Sequence, residues 1–285
     1  MIDVKNLDFT YPGNSDKTIK NISFSIKKGE IFGFLGPSGA GKSTTQKILI
    51  GILKRYSGKV SVYGSEISEV TSDFYNDIGV SFEFPNLYSK LTGKENLDFF
   101  TSLYKTGKNR TSELLEMVDL SDAADKRVSD YSKGMKMRLN FCRSLVHDPE
   151  IIFFDEPTSG LDPLNGKRIK DIIRGLKEQG KTIFLTTHNM NVADELCDRV
   201  AFIVDGQLAL TDSPRSLKID NGEKSVRLEY QKNSKTVYKD FQLNSIGVDL
   251  DFLNLIKKEK IETIHTKEAT LEDIFIQTTG RKLDE

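Results

Sequence analysis

Nine consecutive residues carry the densest chemistry in the chain: Gly36, Pro37, Ser38, Gly39, Ala40, Gly41, Lys42, Ser43 and Thr44. They fit Gly-x-x-x-x-Gly-Lys-[Ser/Thr], the spacing of a Walker A phosphate-binding loop. The glycines let backbone N–H groups turn inward around phosphate oxygens, and a helix N-terminus behind them adds partial positive charge. In that frame Lys42 reaches the outer phosphates and the Ser43 hydroxyl holds Mg²⁺. The apolar run Ile31-Phe32-Gly33-Phe34-Leu35 in front, and Lys42 to Leu49 behind, predict strand, loop and helix in the order the motif needs. The spacing says nucleoside triphosphate, without saying what work is done with it.

A second stretch supplies acids. Ile151-Ile152-Phe153-Phe154 reads as a strand buried on both faces, and it ends in Asp155 and Glu156. Ligands of open α/β sheets bind at the carboxyl ends of strands, so both acids are expected beside the phosphates. Asp155 is the expected Mg²⁺ anchor, because a hard cation takes oxygen ligands. Strand alternation points Glu156 to the opposite side, toward an attacking water. Thr182 to Thr186 is another buried strand, with Thr187 and His188 just past its end.

These residues need a frame, and the periodicities outline one. Apolar and polar residues alternate, with one slip, at Ile2, Val4, Leu7 and Phe9, and alternate cleanly from Asn21 to Ile26. With a short strand at Lys59 to Tyr63 they predict an antiparallel element around the nucleotide-binding core. After a strand at Ile78 to Phe82, the region from Thr92 to about Asp148 has helical spacing and no strand pattern. Segments at 199–204 and 207–210, joined around Asp205-Gly206, predict a closing hairpin. Beyond about residue 218 the character changes. Charged strands at 224–230 and 234–241 flank a Lys232-Asn233 turn. A helix at 249–258, a strand at 261–266 and a capping box at Thr270 to Asp273 follow. The expected fold is α/β: a P-loop NTPase core with an antiparallel β subdomain and a helical insertion at about 84–148, spanning 1–218. A small α+β appendage at 219–285 completes it.

Composition narrows the classes. Over 285 residues, 29% are charged and the formal net charge is -1, so no basic field points to nucleic acid. No apolar run approaches the roughly 20 residues that cross a bilayer, and no charged-then-apolar opening reads as a signal peptide. Cys142 and Cys197 suit buried thiols in a reducing cytosol, with no disulfide framework or metal site.

Further short motifs then give the order a family. Tyr131-Ser132-Lys133-Gly134-Met135, about twenty residues ahead of the Asp155-Glu156 strand, resembles the signature loop of ATP-binding cassette (ABC) ATPases. Ser159-Gly160-Leu161-Asp162 is similar to the D-loop of that family, and His188 to its switch histidine. Tyr11 falls where the family's aromatic stacks on adenine. The resemblance covers residues 1 to about 218. It implies an ATPase using ATP and Mg²⁺, with Lys42, Glu156 and His188 as catalytic groups. It also implies two domains meeting head-to-tail, so that Ser132 and Gly134 of one cap the ATP on the loop of the other. The partner is a second ATP-binding subunit, identical or related. Two departures stand out: Glu83, an expected metal ligand, replaces the usual glutamine, and Lys133 and Met135 replace a glycine and a glutamine.

The helical insertion and the Glu83 loop are what this family uses to grip a transmembrane subunit. Phe82, Phe84, Pro85, Leu87 and Tyr88 give that neighbourhood an aromatic surface suited to docking a helix. The stretch from Glu268 to Phe275 resembles the tail of drug- and lipid-export cassettes whose permease is a separate polypeptide. The expected role is the ATPase subunit of an exporter, at the cytoplasmic face of the membrane, with no nucleic-acid partner. The alternative is a soluble cassette ATPase acting on ribosomes or DNA. Such proteins usually carry two cassettes or a long coiled coil, and neither is present.

Overall fold

The structure, a computed structural model, describes residues 1–105, 109–222, 224–232, 235–267 and 269–281. Asn233 of the expected turn, Ser234 of the strand after it and Glu268 of the tail lie outside the described residues. The chain divides into two compact units, Met1–Thr211 and Asp212–Arg281.

The first unit opens with β1 (Ile2–Phe9), β2 (Ile19–Ile26), β3 (Ile31–Leu35), α1 (Lys42–Leu49), β4 (Ser57–Val62), β5 (Ser65–Glu66) and β6 (Ile78–Ser81). Three helices follow, α2 (Gly93–Ser102), α3 (Thr111–Met117) and α4 (Lys133–Arg143). The chain returns through β7 (Ile151–Asp155), α5 (Pro163–Glu178), β8 (Thr182–Thr187), α6 (Met190–Leu196), β9 (Arg199–Val204) and β10 (Gln207–Asp212). β1, β2, β4 and β5 pair antiparallel in the order β2-β1-β4-β5. The slip in the β1 alternation is a bulge: Asn6 sits at φ 49, and the register shifts between Val4 and Leu7.

The second sheet runs β10-β9-β3-β8-β7-β6, and β9, β3, β8, β7 and β6 are parallel. β3, β7 and β8 are buried at every position, which is why they read as unbroken apolar runs. Phe34 and Phe184 lie 5.5 Å apart and Phe153 and Phe184 5.8 Å apart, tying the three strands together across one face. Each such aromatic pair adds about 1 kcal/mol beyond its buried area. The parallel register sets Leu35 beside Thr187, and Asp155 beside Thr186. The loops that leave β3, β7 and β8 therefore start from one sheet edge.

Cys142 in α4 and Cys197 after α6 are both buried, and burial raises both thiols. His147 is buried too. Its ring stacks on Tyr104 at 3.7 Å, and Nε2 donates to the Ile78 carbonyl at 2.9 Å. Among the described residues Nδ1 has no hydrogen-bond partner. Burial pushes its pKa down to about 4, opposed by the Ile78 carbonyl and Asp148. The unfolded histidine takes its proton near pH 6.5 and the folded one near 4, so stability falls as pH drops through that window. Urea unfolding at pH 5 against pH 7 should show the parent losing about 2 kcal/mol more than His147→Gln. Equal losses would remove His147 as the cause.

In the second unit, α7 (Pro214–Asn221) precedes β11 (Ser225–Lys232), β12 (Lys235–Gln242), α8 (Leu250–Lys258), β13 (Lys260–Lys267) and α9 (Leu271–Thr279). The sheet is antiparallel in the order β12-β11-β13. Its core is Val226, Leu228, Tyr230, Phe241 and Phe252. The expected capping box is present: Asp273 N donates to Thr270 Oγ1, and Thr270 N donates to the Asp273 carboxylate. This unit starts ahead of residue 218 because α7 packs on α9. Ser213 caps α7 and Pro214 opens it, a helix-start signal that residue order does carry.

Candidate active site

The loop after β3 is forced into shape by two glycines. A Cβ on Gly36 would stand 2.1 Å from the Ile203 carbonyl oxygen, so no larger residue fits there. Gly41 sits at φ +109 and caps α1 without any side-chain hydrogen bond. The first N–H groups of α1 are thus left uncapped by side chains, and no acid stands in its first turn. Such an end attracts an anion. The Lys42 ammonium donates to the carbonyls of Gly36 at 2.6 Å and Pro37 at 2.9 Å. Burial lowers its pKa, while Glu156, Asp155 and Glu83 pull the other way.

The carboxylates converge on the same place, a cleft of about 440 Å³. Ser38, Gly39, Gly41, Lys42, Ser43 and Thr44 line it from the loop, and Glu83, Asp155, Glu156 and His188 line it from three other strand ends. Asp155 receives the Thr186 hydroxyl on Oδ1, and the Ser43 hydroxyl on Oδ2 at 3.4 Å. Burial raises its pKa; the Thr186 hydrogen bond, the Lys42 charge and the Ser43 hydrogen bond oppose that. Burial penalises the charged form of a carboxylate, a cost that a hard cation would relieve. With the Ser43 hydroxyl and Glu83 on the same cleft, the donors fit Mg²⁺, which takes one or two carboxylates together with phosphate oxygens. The ion, when bound, neutralises charge on the outer phosphoryl oxygens.

Glu156 corrects the strand-alternation argument. β7 ends at Asp155, and Glu156 turns into the left-handed region at φ 49, bringing both acids to one cleft. A non-glycine residue there is unusual and is held by its surroundings. Thr187 Oγ1 donates to Oε2 at 2.9 Å, and the His188 N–H donates to Oε1 at 2.8 Å. The His188 ring approaches Oε1 through Nδ1 at 2.6 Å. Against an ionised carboxylate Nδ1 carries the proton, leaving Nε2 for another partner. Glu156 itself is 6% exposed, a buried acceptor on the wall of the cleft.

Other expected residues lie apart from this cleft. Gly36, Pro37 and Ala40 shape the loop from behind. Tyr11 is not among the residues lining the cleft; its hydroxyl meets Thr44 Oγ1 at 3.1 Å and its ring packs edge-on against Phe9. Ser132 caps α4 by accepting from Met135 N at 3.2 Å, and Gly134 lies in the first turn of that helix. Neither lines the cleft. Asp162 of the D-loop caps α5. Thr186 and Thr187, which hold the two acids, do not stand out in the sequence. Their only signal there is two hydroxyls closing an otherwise apolar strand.

The comparisons with known proteins agree with this geometry. Residues 19–159 match the ABC transporter family, and residues 224–268 match the family described as fluoroquinolone efflux ABC transporter C-terminal domain. A protein of Mycobacterium tuberculosis named as a fluoroquinolones export ATP-binding protein is 51% identical, covering 99% of this chain and 94% of that one. The bacitracin transport ATP-binding protein of Bacillus licheniformis is 31% identical, covering 97% of each. Among solved structures, a dimeric ATP-binding cassette in a post-hydrolysis state with ADP and Pi matches with TM-score 0.69 and 30% identity. That match covers 75% of this chain and 98% of the cassette. With the phosphate loop and the acids gathered at one sheet edge, the chain belongs to the ABC transporter family, as an ATP-binding, ATP-hydrolysing protein.

Proposed function

We propose that the chain powers a separate transmembrane permease by closing onto a second ATP-binding subunit, identical or related, and opening again after hydrolysis. The supporting observation is what lines the Lys42 cleft. It offers the loop, the acids and His188, while Ser132 and Gly134 of the same copy stand outside it. Ser132 and the N–H groups of α4 that its side chain leaves unsatisfied would meet the γ-phosphate held by the other copy, at the positive end of that helix. Within each copy Lys42 binds the phosphates, Glu156 takes the proton of the attacking water, and His188 orients Glu156 and faces the γ-phosphate. Ser43, Asp155 and Glu83 would hold Mg²⁺. Loss of the γ-phosphate then removes the contact that favours the closed pair.

The permease would dock beside Glu83. Phe84 is 76% exposed and Tyr88 50% exposed, while Phe82 packs on the core of the first unit. Tyr88, Phe99 and Phe100 form one aromatic cluster, and Arg143 stacks on Phe100 at 5.0 Å. Exposed aromatics on a firm base are the usual anchors of an interface. The cargo would be a drug of the fluoroquinolone kind, by the likeness to the mycobacterial relative. Such a role would put the protein at the cytoplasmic face of the membrane. Among the described residues no helix is long and apolar enough to cross it.

Co-expression with a candidate polytopic membrane subunit tests the assignment. The parent chain should co-purify with that protein in detergent. Phe84→Ala with Tyr88→Ala should weaken the association by about a hundredfold, leaving ATP binding by the isolated chain unchanged. Sedimentation with ribosomes in place of the membrane protein would overturn it.

A further inference from the structure

The Lys42 cleft is short of positive charge. Its lining sets one lysine against three carboxylates, Glu83, Asp155 and Glu156. A triphosphate remains anionic even with Mg²⁺ bound, and among the lining residues Lys42 and the N-terminus of α1 are what the cleft itself sets against that charge. Glu83 makes this worse, since an amide is the usual residue there.

A cation in an unfavourable place stands on the other half of the site. Lys133 opens α4, at the positive end of the helix dipole, with no acid in the first turn to offset it. It is exposed. Its stem lies over Gly160, where a Cβ would stand 3.1 Å from Cε and 3.3 Å from Nζ. Among the described residues its ammonium makes no ion pair. The neighbouring cations are committed: Lys136 points to the Ser129 carbonyl at 3.5 Å, and Arg138 donates to the carbonyls of Val118 and Asp119. Lys133 thus stands beside Ser132, exposed and laid over Gly160, at a cost to its own helix.

We propose that Lys133 of one copy contributes a charge contact to the triphosphate held by the Lys42 cleft of the other, offsetting Glu83. This rests on the head-to-tail reading above. The two departures from the family pattern then belong together: the site gains a negative charge within one copy and a positive charge from its partner. Closure becomes more dependent on this one residue, and more sensitive to salt, than in a site with glycine and glutamine at these positions.

The test uses the full chain carrying Glu156→Gln, whose ATP-bound dimer is measured by sedimentation at saturating ATP and Mg²⁺. Adding Lys133→Gln should weaken the dimer about tenfold, and Lys133→Arg should keep it near the parent value. With Glu83→Gln also present, the effect of Lys133→Gln should shrink to about threefold or less. The melting temperature of Lys133→Gln without nucleotide should equal or exceed that of its parent, since a charge opposed to the dipole is removed. A parent dimer that Lys133→Gln leaves unchanged, or an effect equal in both Glu83 backgrounds, overturns the role of Lys133. A parent that stays monomeric at saturating ATP overturns the head-to-tail reading itself, and this proposal with it.

Discussion

Glu156→Gln is expected to lower ATP turnover by about a thousandfold while leaving ATP affinity close to that of the parent chain. The reason is in the hydrogen bonds. Thr187 Oγ1 and the His188 backbone N–H both donate to Glu156, fixing its carboxylate in a buried position. A glutamine has nearly the same shape and keeps one oxygen for these donors, so the loop and its phosphate contacts survive. It has no basic oxygen for the proton of water, so the chemical step is lost. Steady-state hydrolysis together with equilibrium ATP titration reads the two effects separately. Turnover within about threefold of the parent would remove Glu156 from the role of base.

Lys42→Ala is expected to weaken ATP binding by at least about a hundredfold, with hydrolysis falling below detection. Its ammonium is half-buried, donates to the Gly36 and Pro37 carbonyls, and shares the cleft with all three acids. Removing it leaves an anion-binding site dominated by carboxylates. Loss of charge outweighs loss of packing here, because an ammonium in a partly dry cleft acts on phosphate with little screening. Calorimetric titration with ATP measures the loss. A melting curve close to the parent's separates it from unfolding, and undiminished ATP affinity would contradict the assignment of the loop.

Much of this was legible in residue order. The expected Lys42 to Leu49 helix is α1, and the apolar run before Asp155 is β7, because a strand buried on both faces has no alternation to misread. His188 falls one residue past β8, at the same sheet edge as the acids. What sequence could not supply was direction. Alternation would separate Asp155 and Glu156, but a left-handed residue outside a strand answers to its neighbours, here Thr187 and His188. Helical period sets Leu97 and Phe99, two residues apart, on different faces of α2, but leaves open that the core covers the face of Leu97. Tyr11, read from position alone, sits with its ring edge-on to Phe9 and its hydroxyl on Thr44 of the phosphate loop, contacts that residue order does not show.

The central claim is that two half-sites close on one triphosphate. It is tested most directly by sedimentation of the Glu156→Gln chain with and without nucleotide. The account predicts a monomer without nucleotide or with ADP, and a dimer with ATP and Mg²⁺ whose formation is lost when Lys42→Ala is added. A Glu156→Gln chain that binds ATP to saturation and remains monomeric would contradict it.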